Sequence, residues 1–143
     1  MKHAKLAIAG CLAAGIVLPA AAQDNFSYIG TSLFGEYETS GGAGPDQTAD
    51  FSAELDLGKG RICYMLEVEG IDDFSAAHIH EGRKGKDGPP VMELKLMGED
   101  GRDVCVDADK ELLAKIARKP GEYYVNVHTI RYPNGAVRGQ LDE

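Results

Sequence analysis

The sequence predicts an all-β fold, an antiparallel sandwich or barrel of short strands carrying one short helix. Three observations point there. From residue 25 onward, apolar residues recur at every second position in a series of short runs, the period of a strand with one buried face. Gly-, Pro- and Asn-rich segments separate those runs, as in sheets built from many short strands. A single segment, 109–118, has helical spacing instead.

In chain order, residues 25–38 have strand character, with Phe26, Tyr28, Leu33 and Phe34 as apolar anchors and Gly30 and Gly35 as candidate bulges. Residues 39–49 form a turn-rich loop. In 50–57, Phe51, Ala53, Leu55 and Leu57 share one face, and Gly58-Lys59-Gly60 turns the chain into a hairpin. In 61–69, Ile62, Tyr64, Leu66 and Val68 make the apolar face, so Cys63 points to the opposite one. A turn at 70–75 leads to the strand 76–82, a glycine- and proline-rich loop follows to Pro90, and 91–96 is again extended.

After a turn at 98–101, Leu112, Leu113 and Ile116 give 109–118 its helical spacing. Acidic residues lie at its start, basic ones at its end, and Pro120 stops it. In 121–129, Tyr123, Val125 and Val127 face inward, and Tyr124, Asn126 and His128 face the other way. Tyr132-Pro133-Asn134-Gly135 is a hairpin turn, and 136–141 is the closing strand.

Residues 1–22 read as a secretory signal peptide: Lys2 and Lys5, an apolar region, then Ala20-Ala21-Ala22 before Gln23. The mature domain is then 23–143, periplasmic or secreted. Ile8-Ala9-Gly10-Cys11 also resembles a bacterial lipobox, which would leave Cys11 lipidated, but too few apolar residues precede it for an ordinary signal. No stretch reaches the length of a transmembrane helix. Losing Lys2 and Lys5 takes the formal charge from −8 to −10, which argues against nucleic acid or an anionic membrane surface as a partner. Cys63 and Cys105 remain as an even pair, and in an oxidising compartment a disulfide is favoured over two buried thiols.

The chemistry gathers on His78-Ile79-His80. Alternation puts both imidazoles on one strand face, about 6 to 7 Å apart, close enough to converge on one ion. His128 is the third histidine of the mature chain and lies on the non-core face of its own strand. Asn126 and Arg138 point off the core by the same parity and are candidates for a surrounding polar shell, with Arg138 placed to meet an anion or a ligand at an open position. If the strands pair, the three imidazoles should approach within about 4 to 5 Å of one another. Three imidazoles suit copper, with zinc as the alternative.

His78-Ile79-His80-Glu81-Gly82, Gly85, Gly88-Pro89, Tyr124-Val125-Asn126-Val127-His128-Thr129, Asn134-Gly135 and Arg138-Gly139-Gln140-Leu141 together resemble the CHRD domain. The resemblance spans 26–141. It implies an immunoglobulin-like β-sandwich of the kind superoxide dismutase also has, and says little about activity. Family members often carry Gly-x-x-Glu-Val-Pro in the first strand, where this chain reads Gly35-Glu36-Tyr37-Glu38-Thr39.

Two functions follow as expectations. The first is an exported transition-metal protein for storage, delivery or sensing, and the second a metal-free module for binding an extracytoplasmic protein or for adhesion. A small metal-dependent oxidoreductase is a weaker third. The absence of further histidines for a bridged copper–zinc pair argues against superoxide dismutation. No nucleophile elbow is present and the favoured disulfide would occupy both cysteines, so no residue is assigned a catalytic role. The charged loop Glu81 to Asp87 reads as solvated.

Overall fold

The computed structural model describes residues 25–98 and 101–143. The expected signal peptide and Cys11 lie outside the described residues. The elements run β1 (Phe26–Phe34), β2 (Thr48–Asp56), β3 (Arg61–Glu69), β4 (Phe74–Glu81), β5 (Pro90–Leu94), β6 (Val104–Asp107), α1 (Lys110–Arg118), β7 (Tyr123–Thr129) and β8 (Val137–Gln140). The eight strands form one antiparallel sheet in the order β5-β4-β7-β8-β1-β2-β3-β6.

That sheet curls over its own core. Just past β5, the Lys95 amide donates to the Tyr64 hydroxyl at 2.9 Å and the Met97 amide to the Leu66 carbonyl at 3.3 Å, so the chain leaving one edge reaches β3 near the other. Among the described residues the all-β antiparallel expectation with one short helix holds, and the layers are two halves of a single curled sheet.

The inner face is the one alternation selects. Ile29, Leu33, Phe51, Leu55, Ile62, Leu66, Ile79, Val125, Val127 and Val137 are all buried against each other. Each such side chain removed from water stabilises the fold by about 1.5–3 kcal/mol. The helix adds Leu113 and Ile116 to that core. Its N-cap is Asp109, whose carboxylate accepts from the Leu112 amide at 2.8 Å, and Lys115 and Arg118 lie in its last turn, where they complement the dipole.

Three local expectations are corrected. Gly30 is no bulge, since the β1–β2 register runs unbroken from Phe26 opposite Asp56 to Phe34 opposite Thr48. The first strand stops at Phe34, and Gly35–Tyr37 is a 3-10 turn. Gly35 packs so tightly on the backbone of Ala43 that any side chain there would collide. Finally, Val104–Asp107 is a strand that the sequence pattern did not reveal, being too short for its alternation to register.

This short strand pairs with β3, and Cys63 stands directly opposite Cys105. Their Cα atoms are 4.0 Å apart and the sulfurs lie at a bonding distance of 2.11 Å. The bridge ties an edge strand to the sheet and closes a sequence separation of 42 residues.

Candidate metal centre

The histidines lie on the outer face, where β4 and β7 run side by side. Their register sets Ala76 opposite His128, His78 opposite Asn126 and His80 opposite Tyr124. Strand alternation turns all six side chains outward, because the partners one residue on (Ala77, Ile79, Val125, Val127) fill the core. The ring centroids of His78 lie 5.5 Å from His80 and 5.3 Å from His128, and His80 is 6.0 Å from His128. One ring nitrogen from each of the three lies within 4.8 Å of the others.

Two loops cover this face and set the tautomers. The Nδ1–H of His80 donates to the Gly88 carbonyl at 2.9 Å, and the Nδ1–H of His128 donates to the Pro133 carbonyl at 3.1 Å. A carbonyl can only accept, so each ring carries its proton on Nδ1 and leaves a lone pair on Nε2. Those two Nε2 atoms and the Nδ1 of His78 are buried and have no hydrogen-bond partner. An unpartnered buried polar atom costs about 1–3 kcal/mol, and one in each of three neighbouring rings calls for a common explanation. Burial pushes the pKa of His80 and of His128 down, outweighing the hydrogen bonds to Gly88 and Pro133 that act the other way. Both rings are therefore held in the neutral form that a metal ion requires.

The charged side chains Glu81, Arg83, Lys84, Lys86 and Asp87 are exposed, as expected, while hydrogen bonds hold the loop 82–90 in place. The Glu81 amide donates to the Pro89 carbonyl at 3.1 Å, closing the loop at its base. The Gly88 amide donates to the Tyr124 hydroxyl at 3.2 Å, and the Thr39 hydroxyl donates to the Asp87 carboxylate at 2.7 Å. Gly88 itself tolerates no side chain, because a Cβ there would fall on the Glu81 carbonyl.

Arg138 completes the anchoring. It is only 2% exposed and lies over the Tyr124 ring, its guanidinium carbon 3.4 Å from the ring centre. Tyr124 in turn stacks on His80 with 4.8 Å between centroids. The guanidinium donates to Asp87 at 3.0 Å and to the carbonyls of Arg83 and Lys86. Sequence parity suggested a group free to meet an anion; the structure spends it on the loop that presents Gly88 to His80.

Asn126 is 4% exposed, with its Oδ1 unpartnered. Beside it is Glu38, a buried carboxyl that parity did not single out. Burial pushes its pKa up to about 7, against the lowering pull of Arg138 and of a side-chain hydrogen bond with Asn126. The signal was present in the sequence. Gly35 and Glu38 keep the first and fourth positions of the family's Gly-x-x-Glu pattern, and only the Val-Pro that follows is replaced, by Thr39-Ser40. Gly35 permits the tight turn that brings Glu38 over β7 and β8.

Comparison with known proteins adds one match. A family model for the CHRD domain covers residues 29–141. No curated protein and no solved structure matches the chain.

Proposed function

This chain belongs to the CHRD domain family, and from that premise we propose that it is an exported protein binding one transition-metal ion, copper before zinc, through His78, His80 and His128. The observation that carries the reading is that one nitrogen from each of the three rings lies within 4.8 Å of the others, and that each ring has a buried nitrogen without a partner. Hydrogen bonds from the opposite ring nitrogens of His80 and His128 to backbone carbonyls are the usual support of metal-ligating histidines. An all-imidazole set suits copper or zinc, and the described residues hold no further histidine for a second metal.

Storage, delivery or sensing fits a centre roofed by anchored loops better than turnover does. Export agrees with the Cys63–Cys105 bridge. Among the described residues, no helix is long and apolar enough to cross a membrane.

A metal-free binding module is the second reading. It is favoured by Phe26, Tyr28 and Phe34, exposed along the outer face of β1, with Tyr37 and Met65 exposed nearby. Metal analysis of protein recovered from the periplasm, after growth with and without added copper, separates the two. One equivalent of metal, rising with supply, supports the first reading. Protein that emerges empty and takes up no ion supports the second.

A further inference from the structure

Asn126 occupies the middle of the histidine group. It stands directly across from His78, two residues along β7 from His128, and two residues the other way from Tyr124, on which His80 stacks. Its buried Oδ1 has no partner. Glu38 approaches it from the β8 side: the carboxyl packs against Gly135, where a side chain would strike it, and lies within electrostatic reach of Arg138. The Asn126 side chain lowers the pKa of Glu38, as a donor would, and the amide Nδ2–H is the only donor in an asparagine side chain. An Nδ2 engaged by Glu38 would leave the planar amide's Oδ1 for the other side, where His78 stands opposite on β4. Arg138, the nearby donor on the other flank, gives its hydrogen bonds to Asp87 and to the carbonyls of Arg83 and Lys86.

We propose, resting on the metal-binding reading above, that Asn126 Oδ1 is the fourth protein donor of the centre and that Glu38 is the positioning residue that holds it there. The donor set is then three imidazole nitrogens and one neutral amide oxygen. A hard oxygen adds affinity for a divalent ion and little for Cu(I), which prefers soft sulfur ligands. The centre therefore selects the divalent state, Cu(II) or Zn(II), over the cuprous one.

The test compares wild type with Asn126→Ala, Glu38→Ala and Glu38→Gln, measuring Cu(II) and Cu(I) affinities by chelator competition and recording the Cu(II) electron paramagnetic resonance spectrum. Asn126→Ala should weaken Cu(II) binding by roughly 10- to 100-fold and shift the spectrum, while Cu(I) affinity changes by less than about 3-fold. Glu38→Ala should move both readouts in the same direction, and Glu38→Gln, which keeps an acceptor for Nδ2, should restore them. A crystal structure of Cu(II)-loaded wild type needs no variant to fold: Oδ1 at about 2.0–2.5 Å from the ion supports the assignment. Oδ1 beyond about 3.5 Å, or equal losses for Cu(II) and Cu(I) in Asn126→Ala, overturns it and leaves the three-histidine reading standing. A wild type that takes no ion removes both.

Discussion

His128→Ala is the sharpest perturbation of the three-ring centre. In the apo protein the substitution removes one hydrogen bond, to the Pro133 carbonyl, worth about 1 kcal/mol. It also removes an unpartnered buried Nε2, an offsetting gain of about 1–3 kcal/mol. The apo variant should therefore unfold within about 2 kcal/mol of wild type. Metal binding is another matter. Four-ligand structural zinc sites bind with about 10–16 kcal/mol, so one ligand is worth roughly 3 kcal/mol, or about a hundredfold in Kd.

The assay is thermal unfolding with and without Zn(II). At a free-metal concentration of about 100 times the wild-type Kd, binding stabilises the native state by about 2.7 kcal/mol, a rise in Tm of roughly 10 °C for a domain of this size. At that same concentration the variant sits near its own Kd and gains only about 0.4 kcal/mol, or roughly 1–2 °C. A variant that rises as far as wild type, or a wild type whose Tm does not move, would refute the reasoning.

Glu38→Gln should raise urea-unfolding stability at pH 8 and leave it unchanged near pH 4. The native carboxyl titrates at about 7 against an ordinary 4.5, so the native state keeps a proton that the unfolded chain has lost between those values. That contribution is complete below about 4.5 and gone above about 7; equal stability of variant and wild type at pH 8 would contradict it. Replacing Cys63 and Cys105 together with Ala should cost about 4 kcal/mol by loop entropy, measured by chemical denaturation, and a loss under about 1 kcal/mol would show that the bridge constrains little. Ile116→Ala, in the helix face packed on the sheet, should cost about 2–5 kcal/mol with metal affinity unchanged. A weakened metal site in that variant would mean that core and centre are coupled in a way the fold does not suggest.

Alternation made the centre legible wherever a strand was long enough to show its period. Parity in 61–69 placed Cys63 on the outer face, and parity in 121–129 turned His128 away from Val125 and Val127, as the register confirms. What parity could not convey is that an outward residue need not be exposed. Asn126 and Arg138 point away from the core yet are buried, because loops from distant parts of the chain close over them. Those coverings are long-range and irregular: the Gly88 and Pro133 carbonyls, Asp87, and Glu38 carried in by a 3-10 turn. None has a period to detect. The four-residue β6 escaped for a related reason, since its pairing with β3 is settled by Cys105 meeting Cys63 rather than by a local pattern.

The most direct test is nuclear magnetic resonance of protein carrying 15N-labelled histidine, titrated with Zn(II). In the apo state, His80 and His128 should show protonated Nδ1 and free Nε2. One equivalent of Zn(II) should then shift the Nε2 resonances of His80 and His128 and the Nδ1 of His78 together, leaving the Nδ1–H signals of the first two in place. Resonances that do not move at one equivalent, or an ion that engages the Nδ1 of His80 or His128 instead, would contradict a centre built from those three nitrogens.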